Sequence, residues 1–269
     1  MTSRISFGRY HAGRSPIHAL DPRVKLVSAV VFMISCLFVR NAASLALAAA
    51  ALAIAARLSR TPVRRLLAQV RPVVLFLVAT SLINLLFVHT GIPLVALGAL
   101  RIYTDGLAAA LLYTARFTLL LLAGGLLMLT TTPTALTDAA ERLLAPLERI
   151  GVPVSSVALV TSIALRFVPT IAQEADNVIA AQTARGADLE GKSALAYARA
   201  CVPLVVPLLA SALRHADNLS RAMDARCYTG GAGRTRYHAM RFDPRRDLVF
   251  CLALAAYLVA LAALSLAAL

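Results

Sequence analysis

The chain has 269 residues, 59% of them apolar and only 15% charged, with a mean hydropathy of +0.76. A soluble domain is about 45–50% apolar and about 25% charged, so this sequence has too little polar surface to coat a water-facing globule and belongs in a bilayer. Basic residues outnumber acidic ones 27 to 13, and 25 of the 27 are arginine. In so apolar a chain that excess follows from the preference for basic residues in cytoplasmic loops, not from nucleic-acid binding.

The predicted elements begin after a polar, basic stretch of 23 residues with no small-residue cleavage site behind it, which argues against a removable signal peptide. Two uncharged runs follow, Leu26 to Val39 and Ala42 to Ala56, separated by Arg40 and Asn41. Each is shorter than the roughly 20 residues that cross a bilayer, so they predict two short, tightly joined helices with Lys25, Arg40 and Arg57 reaching the interfaces. A third span is predicted from Pro72 to Val88, a fourth from Asp105 to Thr131, and a terminal one from Leu248 to Leu269. The segment Arg57 to Arg71 carries five arginines and no acid, which assigns it, and the amino terminus two spans earlier, to the cytoplasm.

The sequence therefore divides into residues 1–131 with four spans, 132–247, and the terminal span 248–269. The middle part holds most of the acids and seven of the 12 prolines, and it predicts a helical domain. Thr132 and Pro133 are a helix start. One face of that helix carries Leu136, Ala139, Ala140, Leu143, Leu144 and Leu147, and Gly151 and Pro153 end it. A further helix from Ser155 is bent or broken at Pro169, with a polar helical stretch to Arg185. An apolar stretch from Ser193 to Leu213 contains Pro203 and Pro207. Periodicity does not decide whether these stretches are embedded in the membrane or lie on its surface.

Setting residues 174–185 beside 215–226, an offset of 41, gives six identities in twelve positions: Ala175/Ala216, Asp176/Asp217, Asn177/Asn218, Ala181/Ala222, Ala184/Ala225 and Arg185/Arg226. Steps of three place Ala175, Val178, Ala181 and Ala184 on a stripe of small residues, and Ala216, Leu219, Ala222 and Ala225 repeat it. Small residues let helices approach closely, so the repeat predicts two crossing helices, each ending in an arginine favoured by the helix dipole. Two such copies suit a partner with two equivalent docking sites.

The pair Ala184-Arg185-Gly186 and Ala225-Arg226-Cys227 resembles the duplicated Ala-Arg-Gly coupling motifs of the transmembrane (T) component of energy-coupling factor transporters. Residues Ser15 to Leu26, the stretch Leu165-Arg166-Phe167-Val168-Pro169 and the threonines before Pro133 are similar to the same family. The resemblance implies an all-α integral membrane protein of about five transmembrane helices plus a cytoplasmic domain of crossed coupling helices. It implies that Arg185 and Arg226 enter grooves on two ABC-type ATPase subunits, while a substrate-binding S component sits in the membrane beside the chain for vitamin or transition-metal uptake. The chain would then be a multi-pass plasma-membrane protein with its amino terminus and coupling domain cytoplasmic, and would need no cofactor, metal or catalytic residue of its own. Arg166, Asp176 and Asp217 are the expected supports, with Arg166 paired to an acid such as Glu174 or Asp176. Cys227 stands where the family usually has glycine. A residue with a Cβ pays to enter the left-handed region, so the second helix is expected to run past Arg226 until Gly230 and Gly231 stop it.

Other signals compete. Residues 186–193 match the phosphate-loop pattern G-x-x-x-x-G-K-[ST], but that loop must join a strand to a helix, and no strand pattern is found in the chain. A glycine-bounded turn is the reading that fits. Arg116 interrupts a span and is expected to reach an interface, or else to mark a substrate path. His18 is expected to cap or orient the first helix. The four cysteines form neither a disulfide framework nor a zinc site, and the five histidines show no metal-ligand spacing. A membrane-embedded enzyme, such as a lipid-modifying transferase, would require an intramembrane acid or histidine cluster that the four amino-terminal spans lack.

Overall fold

The computed structural model describes residues 13, 15–87, 90, 92–97, 100–186, 194–230 and 242–266. In chain order these form α1 (Pro22–Leu37), α2 (Ala42–Leu58), α3 (Val63–Leu67), a 3-10 turn at Arg71–Val73 and α4 (Val74–Phe87). A hairpin of β1 (Pro93–Leu97) and β2 (Leu100–Tyr103) leads into α5 (Thr104–Thr130) and α6 (Pro133–Leu144). After a 3-10 turn at Ala145–Ile150 come α7 (Val154–Ala184), α8 (Ala194–Ala225) and α9 (Pro244–Leu266). The described residues divide into two compact units, 144–230 on one hand and 13–143 with 242–266 on the other. In sequence, the first unit is thus an insertion between α6 and α9 of the second.

The discontinuous unit is built around α5, against which α1, α2 and α4 pack, with α9 on α1 and α2. Its core joins Phe32, Cys36 and Val39 to Ala48 and Leu52, to Leu119, Ala123, Leu126 and Leu129, and to Tyr257 and Leu261. The outward faces are as apolar as this core: Leu75 is 82% exposed and Phe87 75%. Such an exposed apolar surface is excluded in water and normal in lipid. Four helical segments are long and apolar enough to cross a membrane: Val63–Phe87, Thr104–Thr130, Val154–Ala184 and Pro244–Leu266. Helices α1 and α2, with 16 and 17 residues, fall short of a full span, as the two charge-bounded runs predict. The start of α2 is held by Ser44, whose Oγ donates to the Asn41 carbonyl (2.8 Å) and accepts from the Asn41 N–H (3.1 Å).

Asp21, not His18, caps α1: its side chain accepts from the Arg23 N–H at 2.9 Å, and Pro22 takes the first helical position. His18 orients the helix in another way, because its carbonyl accepts from Lys25 Nζ at 3.0 Å while its Nδ1 lies 2.7 Å from Ser15 Oγ. Lys25 Nζ also reaches the Thr130 carbonyl at 3.4 Å, tying α1 to the end of α5. The fully buried Asp247 completes this cluster. Its Oδ1 accepts from the Asp21 N–H (3.1 Å) and its Oδ2 from the Asp243 N–H (2.8 Å). Near the far end of α1, Ser35 Oγ and Tyr257 Oη of α9 are bonded at 3.0 Å. A Cβ at Gly125 would displace the end of the Gln69 side chain, whose Nε2 donates to the Gly125 carbonyl.

The chain is not wholly without strands. β1 and β2 pair antiparallel with Leu97 opposite Leu100 and an irregularity between Pro93 and Val95. The base of the hairpin is closed by the Thr104 N–H donating to the Ile92 carbonyl and the Ile92 N–H to Thr104 Oγ1. Strands of five and four residues are too short to give a clear period-2 signal, which is why the sequence pattern passes over them. Thr132 caps α6 as expected, its Oγ1 accepting from the Ala135 N–H at 3.2 Å. Pro169 does not break α7, a single helix of 31 residues, and Pro203 and Pro207 lie within the 32 residues of α8.

Candidate functional site

The duplicated segments lie at the carboxyl ends of α7 and α8, and the two helices meet where the repeat begins. Glu174 Oε1 and His215 Nε2 are 2.6 Å apart, and 174 and 215 are the same position in the two copies. The Phe167 ring lies against the His215 ring, centroids 5.7 Å apart, and Ser211 and Arg214 flank the carboxylate. Beyond this point both helices emerge into the open with the same pattern. Val178 and Gln182 in one, Leu219 and Met223 in the other, are half-buried, while most of their neighbours are exposed. A close approach at one equivalent position, with only a narrow half-buried stripe beyond it, fits helices that cross and do not run side by side.

The alanine stripes do not make this contact. Ala181, Ala184, Ala222 and Ala225 are all exposed. A helix turns about 100° per residue, so each step of three drifts back by about 60° and Ala184 faces the opposite way from Ala175. The stripe winds around the helix, and the half-buried face follows the i, i+4 spacing of Val178 and Gln182.

Each helix then ends in the same manner. In α7 the Arg185 N–H donates to the Gln182 carbonyl (3.1 Å) and the Gly186 N–H to Thr183 (2.9 Å). In α8 the Arg226 N–H donates to Met223 (3.1 Å) and the Cys227 N–H to Asp224 (2.9 Å), the equivalent bonds at equal lengths. Gly186 has φ +88° and Cys227 +55°. The second helix therefore stops at Ala225 and does not run on to Gly230. Cys227 accepts the left-handed backbone because two capping bonds reward it, its own and that from the Tyr228 N–H to the Met223 carbonyl at 3.0 Å. Gly230 has a positive φ of its own one turn later, and Gly231 lies outside the described residues.

Arg185 and Arg226 are thus cap residues at the tips of two arms, each eleven residues beyond the crossing. Both are exposed, as are Ala184, Gly186, Ala225 and Cys227. Among the described residues neither arginine forms an ion pair. An arginine flanked by alanine and by a left-handed turn projects from a low surface, and its planar fork of donors suits a groove lined with carboxylates or carbonyls. Of the expected supports, Arg166, Asp176 and Asp217 are exposed and, among the described residues, without ion pairs. The carboxylate of Glu174 is taken by His215 and not by Arg166. Arg116 is half-buried on α5, beside Cys36 of α1. Residues 187–193 of the phosphate-loop pattern lie outside the described residues, but a helix, not a strand, leads into Gly186.

Comparison with known proteins agrees with this architecture. Residues 13–237 match the family model described as cobalt transport protein. The chain is 43% identical over 236 residues to the energy-coupling factor transporter transmembrane protein EcfT of Heliobacterium modesticaldum, covering 88% of each chain. It is 37% identical over 240 residues to the EcfT of Bacillus subtilis, covering 89% of this chain and 91% of that one. A putative ABC transporter ATP-binding protein of Bifidobacterium longum is 43% identical over 251 residues, which are 93% of this chain but only 32% of that longer protein. With a family model matched over most of its length and relatives aligned nearly end to end, this chain belongs to the cobalt transport protein (CbiQ) family, as a transmembrane component of an energy-coupling factor transporter.

Proposed function

We propose that Arg185 and Arg226 are the docking residues through which this membrane component engages two ABC-type ATPase subunits, and that residues 132–247 act as the coupling domain that carries them. The observation behind this reading is the equivalence of the two tips: the same arm length, the same capping bonds and an exposed arginine at the same place in each. A pair of equivalent ATPase subunits offers two equivalent grooves. Hydrolysis then takes place on those subunits, and this chain transmits their movement to a membrane-embedded S component that binds a vitamin or a transition-metal ion. The Bifidobacterium relative supports an ATPase partnership, since a stretch similar to this chain makes up about a third of a protein whose name is that of an ATP-binding subunit. The arms and the amino terminus lie on the cytoplasmic side, on the strength of the arginine-rich, acid-free segment Arg57 to Arg71.

Arg185→Glu combined with Arg226→Glu tests the docking role. Losing a docked, hydrogen-bonded charge costs about 2–5 kcal/mol of binding, so the double variant should insert and fold but fail to retain the ATPase subunits in a pull-down. Undiminished recovery of those subunits would refute the assignment.

A further inference from the structure

We infer that Glu174 and His215 form the pivot of the two arms: positioning residues that fix the angle at which the coupling arginines are presented. This rests on the docking role proposed for Arg185 and Arg226. When two copies of a repeat cross at the same position of each, a local two-fold axis passes between those positions. A residue that meets its own equivalent across such an axis cannot form an ion pair with an identical side chain, because two carboxylates repel. The chain breaks its repeat at this place alone with a complementary pair, an acid in one copy and an imidazole in the other, and they lie 2.6 Å apart. Ser211 and Arg214 of α8 flank the carboxylate, and Phe167 of α7 covers the imidazole.

The location gives the pair its consequence. It lies eleven residues from each arginine, an arm of about 16 Å at 1.5 Å per residue, and the arms beyond it are largely exposed. With little other contact to hold the tips, the angle between the arms is set at the crossing. A rigid joint there converts movement of one tip into rotation of the other helix, whereas a loose joint absorbs it. Coupling between sites requires such a defined element.

Because 174 and 215 are equivalent positions, exchanging their residues should restore the joint, which a merely space-filling role would not require. In the full-length chain with its native cysteines replaced by serine, spin labels at Ala181→Cys and Ala222→Cys, both exposed, report the distance between the arms. Glu174→Leu or His215→Leu should broaden that distance distribution and, in the reconstituted complex, lower substrate transported per ATP about tenfold, as expected for one charge-assisted hydrogen bond. The exchanged variant, Glu174→His with His215→Glu, should narrow the distribution and recover coupling. Should either leucine variant fold poorly, His215→Gln, which still donates to the carboxylate, should retain a narrow distribution. A wild-type distribution in the leucine variants, or an exchanged variant as broad as they are, would overturn the pivot. Failure of the docking role is separately visible, because the distance is measured on the chain without ATPase subunits and pull-down reports their binding.

Discussion

Gly186 and Cys227 occupy the same place after equivalent arginines, and both hold a left-handed backbone, at φ +88° and +55°. For glycine this is free; for cysteine the Cβ costs about 1 kcal/mol or more. Cys227→Gly should therefore raise stability, by up to about 1 kcal/mol once the greater freedom of glycine in the unfolded chain is counted. Cys227→Val, β-branched, should lower it. Thermal unfolding in detergent measures both, and a destabilised glycine variant would show that the thiol makes a contribution the backbone does not explain.

The second expectation concerns the buried carboxylate of Asp247, each of whose oxygens accepts a backbone N–H. Asp247→Asn turns one acceptor into a donor facing a donor. With a buried group left unsatisfied, the cost should be about 1–3 kcal/mol. Lys25→Met, which abandons the carbonyls of His18 and Thr130, should cost a similar amount. Melting temperatures of the two variants decide the point, and values within error of the parent would remove this cluster from the forces that hold the unit together.

Acid should open the start of α7. The carboxyl of Glu148 is held below its ordinary value of 4.5 by hydrogen bonds from the Ser155 hydroxyl and the Ser155 N–H. With the folded value depressed, the unfolded state binds the proton more readily, so the contribution is complete above about pH 4.5 and is lost as pH falls through the lower folded value. Amide exchange in the first turn of α7 should accelerate over that window in the parent chain. In Glu148→Gln the acceleration should be absent, and an unchanged acid response in that variant would assign the effect elsewhere.

Orientation is open to chemical labelling. Ser59 is a poor probe because it is buried, its Oγ bonded to Ala56 and Thr61, whereas Arg64 and Thr90 are exposed. In a cysteine-free background, Arg64→Cys should resist an impermeant thiol reagent in intact cells and Thr90→Cys should react. The reverse pattern would invert the topology.

The sequence displays what is periodic or repeated and hides what is complementary. Length and charge spacing are enough for the short α1 and α2, for α5 and for α9, because a bilayer imposes run length on any crossing helix. The arginine tips are visible because they are identical in both copies. Glu174 and His215 escape an identity count for the opposite reason: an acid paired with a base across a two-fold cannot be the same residue in both copies. The alanine stripe misleads because a spacing of three looks like a face over one turn and becomes a spiral over three. Asp21 and Asp247 are 226 residues apart, a separation at which no local pattern speaks.

That last separation bears on how the chain is made. The N–H of Asp21 and the hydroxyl of Ser35 find their partners on α9 or at its start, 226 and 222 residues later. During synthesis α1 therefore waits for these two partners while α2 to α8 emerge. The unit can lock only when α9 arrives. A nascent chain that stalls before α9 leaves these two groups of α1 without their partners and an open seam along α1 and α2, which the arrival of α9 closes.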